Sequence, residues 1–180
     1  RRWVVSDKKI LELEKATKQT ELQQLKKQIN PHFLFNMLNN ANILVKDAPD
    51  EASQILEKLD NLLRYQLNDS TRREVFLTAD IQFLTSFLEL EKVRRDHFEY
   101  TIFQEGNMEN ICIPPLLFIP FVENAVKHNL DSDNLSYVHL YFSVHNKQLT
   151  FRCENSKPRV PVKREGGIGL ANVKRRLDLL

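Results

Sequence analysis

One imidazole stands out in the stretch Gln28-Ile29-Asn30-Pro31-His32-Phe33-Leu34-Phe35-Asn36, bracketed by the amide side chains of Gln28 and Asn36. Residues four apart share a helix face, so Gln28, His32 and Asn36 form a polar stripe beside the apolar positions Ile29, Phe33 and Met37. A histidine displayed in this way can act as a nucleophile or exchange a proton near neutral pH. The alternative is an ordinary surface histidine on an amphipathic helix.

A second constellation lies in Phe121-Val122-Glu123-Asn124-Ala125-Val126-Lys127-His128. At roughly 100° per residue, Glu123, Asn124, Lys127 and His128 share one side of a helix, and Phe121, Val122, Ala125 and Val126 take the other. Amide and carboxylate oxygens suit Mg²⁺, and an ammonium suits phosphate oxygens. The alternative is a solvated face. Three of the four glycines then fall in Gly166-Gly167-Ile168-Gly169, with Lys157, Arg159, Lys163 and Arg164 before them and Lys174, Arg175 and Arg176 after. Glycines ahead of a helix let backbone N–H groups approach an anion, although such a turn can also be a plain loop. Together the two segments outline a candidate nucleotide site.

The elements that must carry these residues follow from periodicity. A heptad-like series Leu11, Lys15, Lys18, Leu22, Leu25, Ile29, His32 runs into Pro31 and on to about Val45, which favours a kinked long helix over one that starts at Pro31 with Asn30 as cap. Lys46-Asp47-Ala48-Pro49-Asp50 reads as a turn, with Asp50 as a cap. A second helix carries Ile55, Leu56, Leu59, Leu62, Leu63 and Tyr65 and ends near Asn68-Asp69-Ser70. Two such helices cannot bury a two-sided apolar surface alone, so pairing of two copies into a four-helix bundle is expected. Thr78-Ala79-Asp80 opens a third helix to about Arg95, with Ile81, Phe83, Leu84, Phe87, Leu88 and Leu90 apolar. Strands are expected at Tyr100–Phe103, Ile111–Ile113, Tyr137–Val144 and Gln148–Cys153, with His145-Asn146-Lys147 as a turn. Helices are expected at about Phe118–Asn129 and Ile168–Leu180. The fold class is α+β, a helical hairpin followed by a layer of helices on a sheet.

The 180 residues suffice for one full domain and an extra element. A net charge of +2 is too small for a general nucleic-acid binder, but it is uneven. Residues 1–27 hold eight Lys/Arg against four Asp/Glu, and residues 157–180 hold seven against two. Cys112 and Cys153 fit neither a disulfide framework nor a metal spacing, so a reducing compartment and core positions are expected for both. No apolar run reaches the ~18 residues of a membrane span, yet Arg1-Arg2-Trp3 would suit a segment just cytoplasmic of a transmembrane helix.

In this order, the His32 stretch, Pro114-Pro115 with residues 121–128, and Gly166-Gly167-Ile168-Gly169-Leu170-Ala171-Asn172-Val173 resemble the three motifs of LytS/YehU-type sensor histidine kinases. The resemblance covers roughly residues 20 to 180. It implies a signalling coiled-coil helix over residues 1–20, a dimerisation and phosphoacceptor hairpin over 21–75, and an ATP-binding domain over 76–180. That last domain would be a Bergerat-type α/β sandwich, incomplete at its C-terminal end. It further implies that His32 takes the γ-phosphate of ATP, that Asn124 holds Mg²⁺, that Lys127 contacts phosphate with His128 beside it, and that Gly166, Gly167, Gly169, Leu170 and Asn172 belong to the ATP lid. The implied partners are a second copy of the chain and a response-regulator receiver domain, with the membrane reached through an N-terminal region and no nucleic acid.

The sequence departs from the family at two places. The position after the phosphoacceptor, acidic in many histidine kinases, is Phe33. A neutral imidazole is abundant at pH 7, so a strong base is dispensable; Glu123 is the nearest candidate if one is needed. Asn36, one turn after His32, either orients a water or packs. The superfamily's adenine-reading aspartate corresponds to Asn155, reached by continuing Leu149, Phe151, Cys153 inward. Its carbonyl can accept from an adenine amino group without the strength of a carboxylate, so weak ATP affinity is expected. The rival is a catalytically degenerate dimeric scaffold that transmits conformation. A zinc site is a distant third, because His32, His97, His128, His139 and His145 lack ligand spacing.

Overall fold

The computed structural model describes residues 31–127 and 135–157, with the side chains of Pro31 and His32 outside that description. Helix α1 spans Pro31–Leu44, and the choice between a kink and a helix start at Pro31 lies outside the described residues. Helix α2 spans Pro49–Asn68. Proline suits its first turn, where no backbone donor is needed, and Asp50 and Glu51 there complement the helix dipole. The expected cap, Asp50, is instead inside that turn. Ala48 occupies the cap position and makes no side-chain hydrogen bond.

Phe33, Met37 and Ala41 line one face of α1, and Ala52, Ile55, Leu59, Leu62 and Tyr65 one face of α2. Both faces pack on helix α3, Leu77–Arg94, with ring centroids of Phe33 and Phe87 5.4 Å apart and those of Tyr65 and Phe83 4.6 Å apart. The hairpin thus buries one apolar face within its own chain. Its other side stays exposed, with Phe35, Leu38, Ile43 and Val45 on or just after α1 and Leu56 and Leu67 on α2. Helix α3 is apolar nearly all round: Leu77, Ile81, Phe83, Leu84, Phe87, Leu88 and Leu90 are buried. A helix of that pattern belongs between two layers, here the hairpin and a sheet.

Two small sheets lie among the described residues. Strand β1, Val75–Phe76, pairs antiparallel with β3, Cys112–Ile113. Strand β2, Phe98–Glu105, runs parallel to β4, Ser136–His145, which pairs antiparallel with β5, Gln148–Asn155. The β4–β5 turn places Asn146 at φ 50° and Lys147 at φ 66°, as a two-residue hairpin of matching twist requires. Parallel strands need a crossover, and helix α4, Ile119–Lys127, lies within it. The crossover leaves β2 at Gly106, φ 89°, where a Cβ would collide with the Val144 carbonyl oxygen. Only glycine fits that turn.

The inner sheet face, with Val138, Leu140, Phe142 and Phe151, meets α4 through Phe118, which stands edge-on to Phe142 at 5.2 Å and 4.5 Å from Phe151. One apolar cluster runs from Phe33 in the hairpin to Phe142 in the sheet. Cys112 is exposed, which corrects the expectation of a core thiol; strand β3 turns it away from Ile113, the residue that is buried. Cys153 is half-buried, and burial raises its thiol to about 11, with Glu154 adding to the shift.

Candidate functional site

Helix α4 divides as its spacing dictates. Ile119, Val122, Ala125 and Val126 are buried, and Phe121 packs 5.7 Å from Phe151 on β5. Glu123 and Lys127 are exposed and Asn124 is half-buried. The acid, the amide and the ammonium therefore leave the core on one side of a helix whose other side is fixed. His128 and the glycine segment, with Gly166, Gly167, Gly169, Leu170 and Asn172, lie outside the described residues.

Strand β5 alternates along its length, with Leu149, Phe151, Cys153 and Asn155 less exposed than their neighbours. Asn155 thus shares the sheet face on which Phe151 meets α4. Its Nδ2 donates to the Ser156 carbonyl at 2.8 Å, which leaves Oδ1 as an acceptor. His32 lies in the first turn described for α1, one turn before the half-buried Asn36; the orientation of its ring is outside the described residues.

The electrostatics around α4 come from the end of α3. Glu91 is buried and pairs with Arg94 at 2.6 Å and Arg95 at 3.3 Å. Arg95 Nη2 also donates to the Val126 carbonyl at 3.1 Å, and its guanidinium lies 5.3 Å from the Phe98 ring centroid. Burial lowers the Arg95 pKa, partly offset by Glu91. Protein packed at the base of Glu123 raises its pKa, and the Glu91 carboxylate adds to the rise. Glu123 keeps contact with solvent, so the effect on its charge is modest.

Four residues here escaped sequence reasoning: Tyr65, Asp80, Glu91 and Arg95. Glu91 and Arg95 carried a legible signal, an acid four residues before a base at a helix end. Asp80 reads in the sequence only as part of a helix start. It is fully buried, and its Oδ1 accepts from the Tyr65 hydroxyl and, at 3.1 Å, from the Leu116 amide. Away from α4, an open groove of about 930 Å³ runs between α2, α3 and the edge of β2, with Glu89 pairing there with Lys58 at 2.7 Å. Among the described residues no three His, Cys, Asp or Glu side chains cluster as metal ligands, and no helix is long and apolar enough to cross a membrane.

Residues 20–98 match the family described as histidine kinase. Sensor histidine kinase YpdA of Escherichia coli (strain K12) is 31% identical over 119 residues, which is 66% of this chain and 21% of that protein. Sensor histidine kinase/phosphatase LytS of Staphylococcus aureus (strain MRSA252) is 32% identical over 115 residues, 63% of this chain and 20% of that protein. Sensor protein LytS of Staphylococcus epidermidis is 27% identical over 162 residues, 87% of this chain and 27% of that protein. The α+β fold is compatible with a histidine kinase domain, and the matches make that the class this chain resembles. Within that class its resemblance is to the LytS-type sensor histidine kinases. The chain spans about a fifth of the length of the first two of these relatives.

Proposed function

We propose that this chain is the kinase portion of a two-component sensor histidine kinase, which phosphorylates its own His32 from ATP and passes the group to a response-regulator aspartate. The observation that carries the reading is the division of α4: Glu123, Asn124 and Lys127 share one outward side, and the opposite side is locked into the core. That side offers an amide for Mg²⁺ and an ammonium for phosphate oxygens, the donors a phosphoryl transfer needs for positioning and charge neutralisation. Asn155 on the neighbouring sheet face supplies an acceptor for the adenine amino group. His128 and the glycine turn Gly166-Gly167-Ile168-Gly169 complete the proposed nucleotide site, with Leu170 and Asn172 in its lid.

In the proposed reaction an imidazole nitrogen of His32 attacks the γ-phosphorus, the bond to the β–γ bridging oxygen breaks, and ADP leaves with that electron pair. The imidazole proton passes to Glu123 or to water; the raised pKa of Glu123 makes it the better base. Bound Mg²⁺ would neutralise charge on the β- and γ-phosphate oxygens. Residues 21–75 act as the dimerisation and phosphoacceptor unit and residues 76–180 as the nucleotide unit of Bergerat type. The exposed row Phe35, Leu38, Val45 and Leu56 is the surface proposed to meet a second copy in a four-helix bundle. The membrane is reached through a region N-terminal to residue 1, which makes this a cytoplasmic unit.

Incubation with γ-labelled ATP and Mg²⁺ is expected to give an acid-labile, alkali-stable label that His32→Gln abolishes. Label that survives in the variant refutes the assignment. The second reading, a non-catalytic scaffold, draws on Asn155 in place of an aspartate. Absence of nucleotide binding in titrations of the full-length protein would favour it.

A further inference from the structure

Helix α2 belongs to the hairpin that carries His32, and α4 carries the proposed nucleotide ligands. A short polar chain joins them. The Tyr65 ring is stacked on Phe83, centroids 4.6 Å apart and planes 24° apart, which fixes where its hydroxyl points. That hydroxyl donates to Asp80 Oδ1 at 2.5 Å, and the same oxygen accepts from the Leu116 amide at 3.1 Å. Leu116 sits at φ 57°, a left-handed conformation that side chains of its kind adopt only when neighbours hold them there. Two residues on, the Phe118 carbonyl accepts from Phe121 at 3.0 Å and starts α4. At the other end, Arg95 just past α3 holds the Val126 carbonyl. Helix α3 therefore grips α4 at its approach and at its last turn, and the Tyr65 hydroxyl ties the hairpin to the first of these grips.

We propose that Tyr65 and Asp80 are positioning residues, which register α4 and its Glu123–Asn124–Lys127 side against the hairpin so that phosphoryl transfer to His32 has the right geometry. The proposal rests on the kinase reading above. A shift or rotation of α2 against α3 moves the Tyr65 hydroxyl, changes how Asp80 holds Leu116, and so alters the start of α4. Transfer geometry is sensitive to displacements of about 1 Å, and Glu123, Asn124 and Lys127 all sit on α4 itself, so a shift of the hairpin is expected to act on transfer more than on binding.

The test uses Tyr65→Phe, which keeps the ring and its stacking, and Asp80→Asn, which keeps an acceptor for Leu116. Three quantities are read on the whole chain: the His32 phosphorylation rate at saturating ATP per folded molecule, the nucleotide Kd, and amide exchange across residues 114–127. Loss of one buried hydrogen bond is expected to slow the Tyr65→Phe rate about tenfold with Kd within about twofold. Exchange is expected to quicken in 114–122 and to stay unchanged in 98–105. Asp80→Asn is expected to fall between Tyr65→Phe and the parent. A parental rate in Tyr65→Phe overturns the proposal, and so does exchange that quickens evenly over the chain, the mark of a merely structural role. If the parent chain forms no phosphohistidine, the kinase reading fails first, and exchange alone then decides whether the hairpin is coupled to α4.

Discussion

The Arg95 guanidinium donates from Nη2 to the Val126 carbonyl at 3.1 Å, and its Nε lies 3.3 Å from the Glu91 carboxylate. One side chain thereby closes the last turn of α4 and offsets the charge of a buried carboxylate. Val126 precedes Lys127, so the bond sits at the turn from which the proposed phosphate ligand leaves. Arg95→Ala is expected to cost about 1–3 kcal/mol in urea unfolding, since a charge-assisted bond is lost and Glu91 keeps only Arg94. Arg95→Lys should recover part of this, because an ammonium can reach one acceptor but not both with forked geometry.

Glu123 titrates above the ordinary carboxylate range because of burial and Glu91. A raised acid favours the folded state while protonated and loses that contribution as pH rises through the folded-state pKa. Glu123→Gln is therefore expected to raise stability slightly at pH 7 and leave it unchanged near pH 4. Paired denaturation curves at the two pH values check this; a loss at pH 7 would show that the carboxylate is held by a favourable partner. If Glu123 is the base, the same variant lowers the phosphorylation rate most at neutral pH and above, where the carboxylate is ionised, and least at low pH, where it already carries a proton.

Gly106 leaves β2 at φ 89° against the Val144 carbonyl. Gly106→Ala is expected to destabilise the fold by about 1–3 kcal/mol through backbone strain and displacement of β4. The midpoint of thermal unfolding reads it directly, and an unshifted midpoint contradicts the geometry.

The two thiols should separate cleanly under alkylation. Cys112 is exposed, whereas Cys153 is half-buried with a pKa raised to about 11. At pH 7.5 to 8, peptide mapping is expected to find Cys112 modified first and Cys153 only on unfolding. Early modification of Cys153 would mean that β5 opens readily.

Helical spacing identified α2, α3 and α4 to within a few residues, because amphipathic period survives in the chain whatever it packs against. It also put Asn155 on the inner face of β5, since alternation is a property of the strand itself. Strand β1 left no signal: two residues, Val75 and Phe76, become a strand only because Cys112 and Ile113 come to lie beside them. The parallel pairing of β2 with β4 was equally silent, as a register between Phe98 and Ser136 depends on a crossover and not on either strand.

The sequence alone placed Glu123, Asn124 and Lys127 on one side of α4, because a helix sorts its own faces at a fixed angle per residue. Only the tertiary structure decided what holds them. Asp80, Tyr65, Arg95 and the Leu116 and Val126 backbone meet across sequence separations of 15 to 36 residues. No local period encodes such meetings; they arise where buried polar groups must find partners once the apolar surfaces have closed.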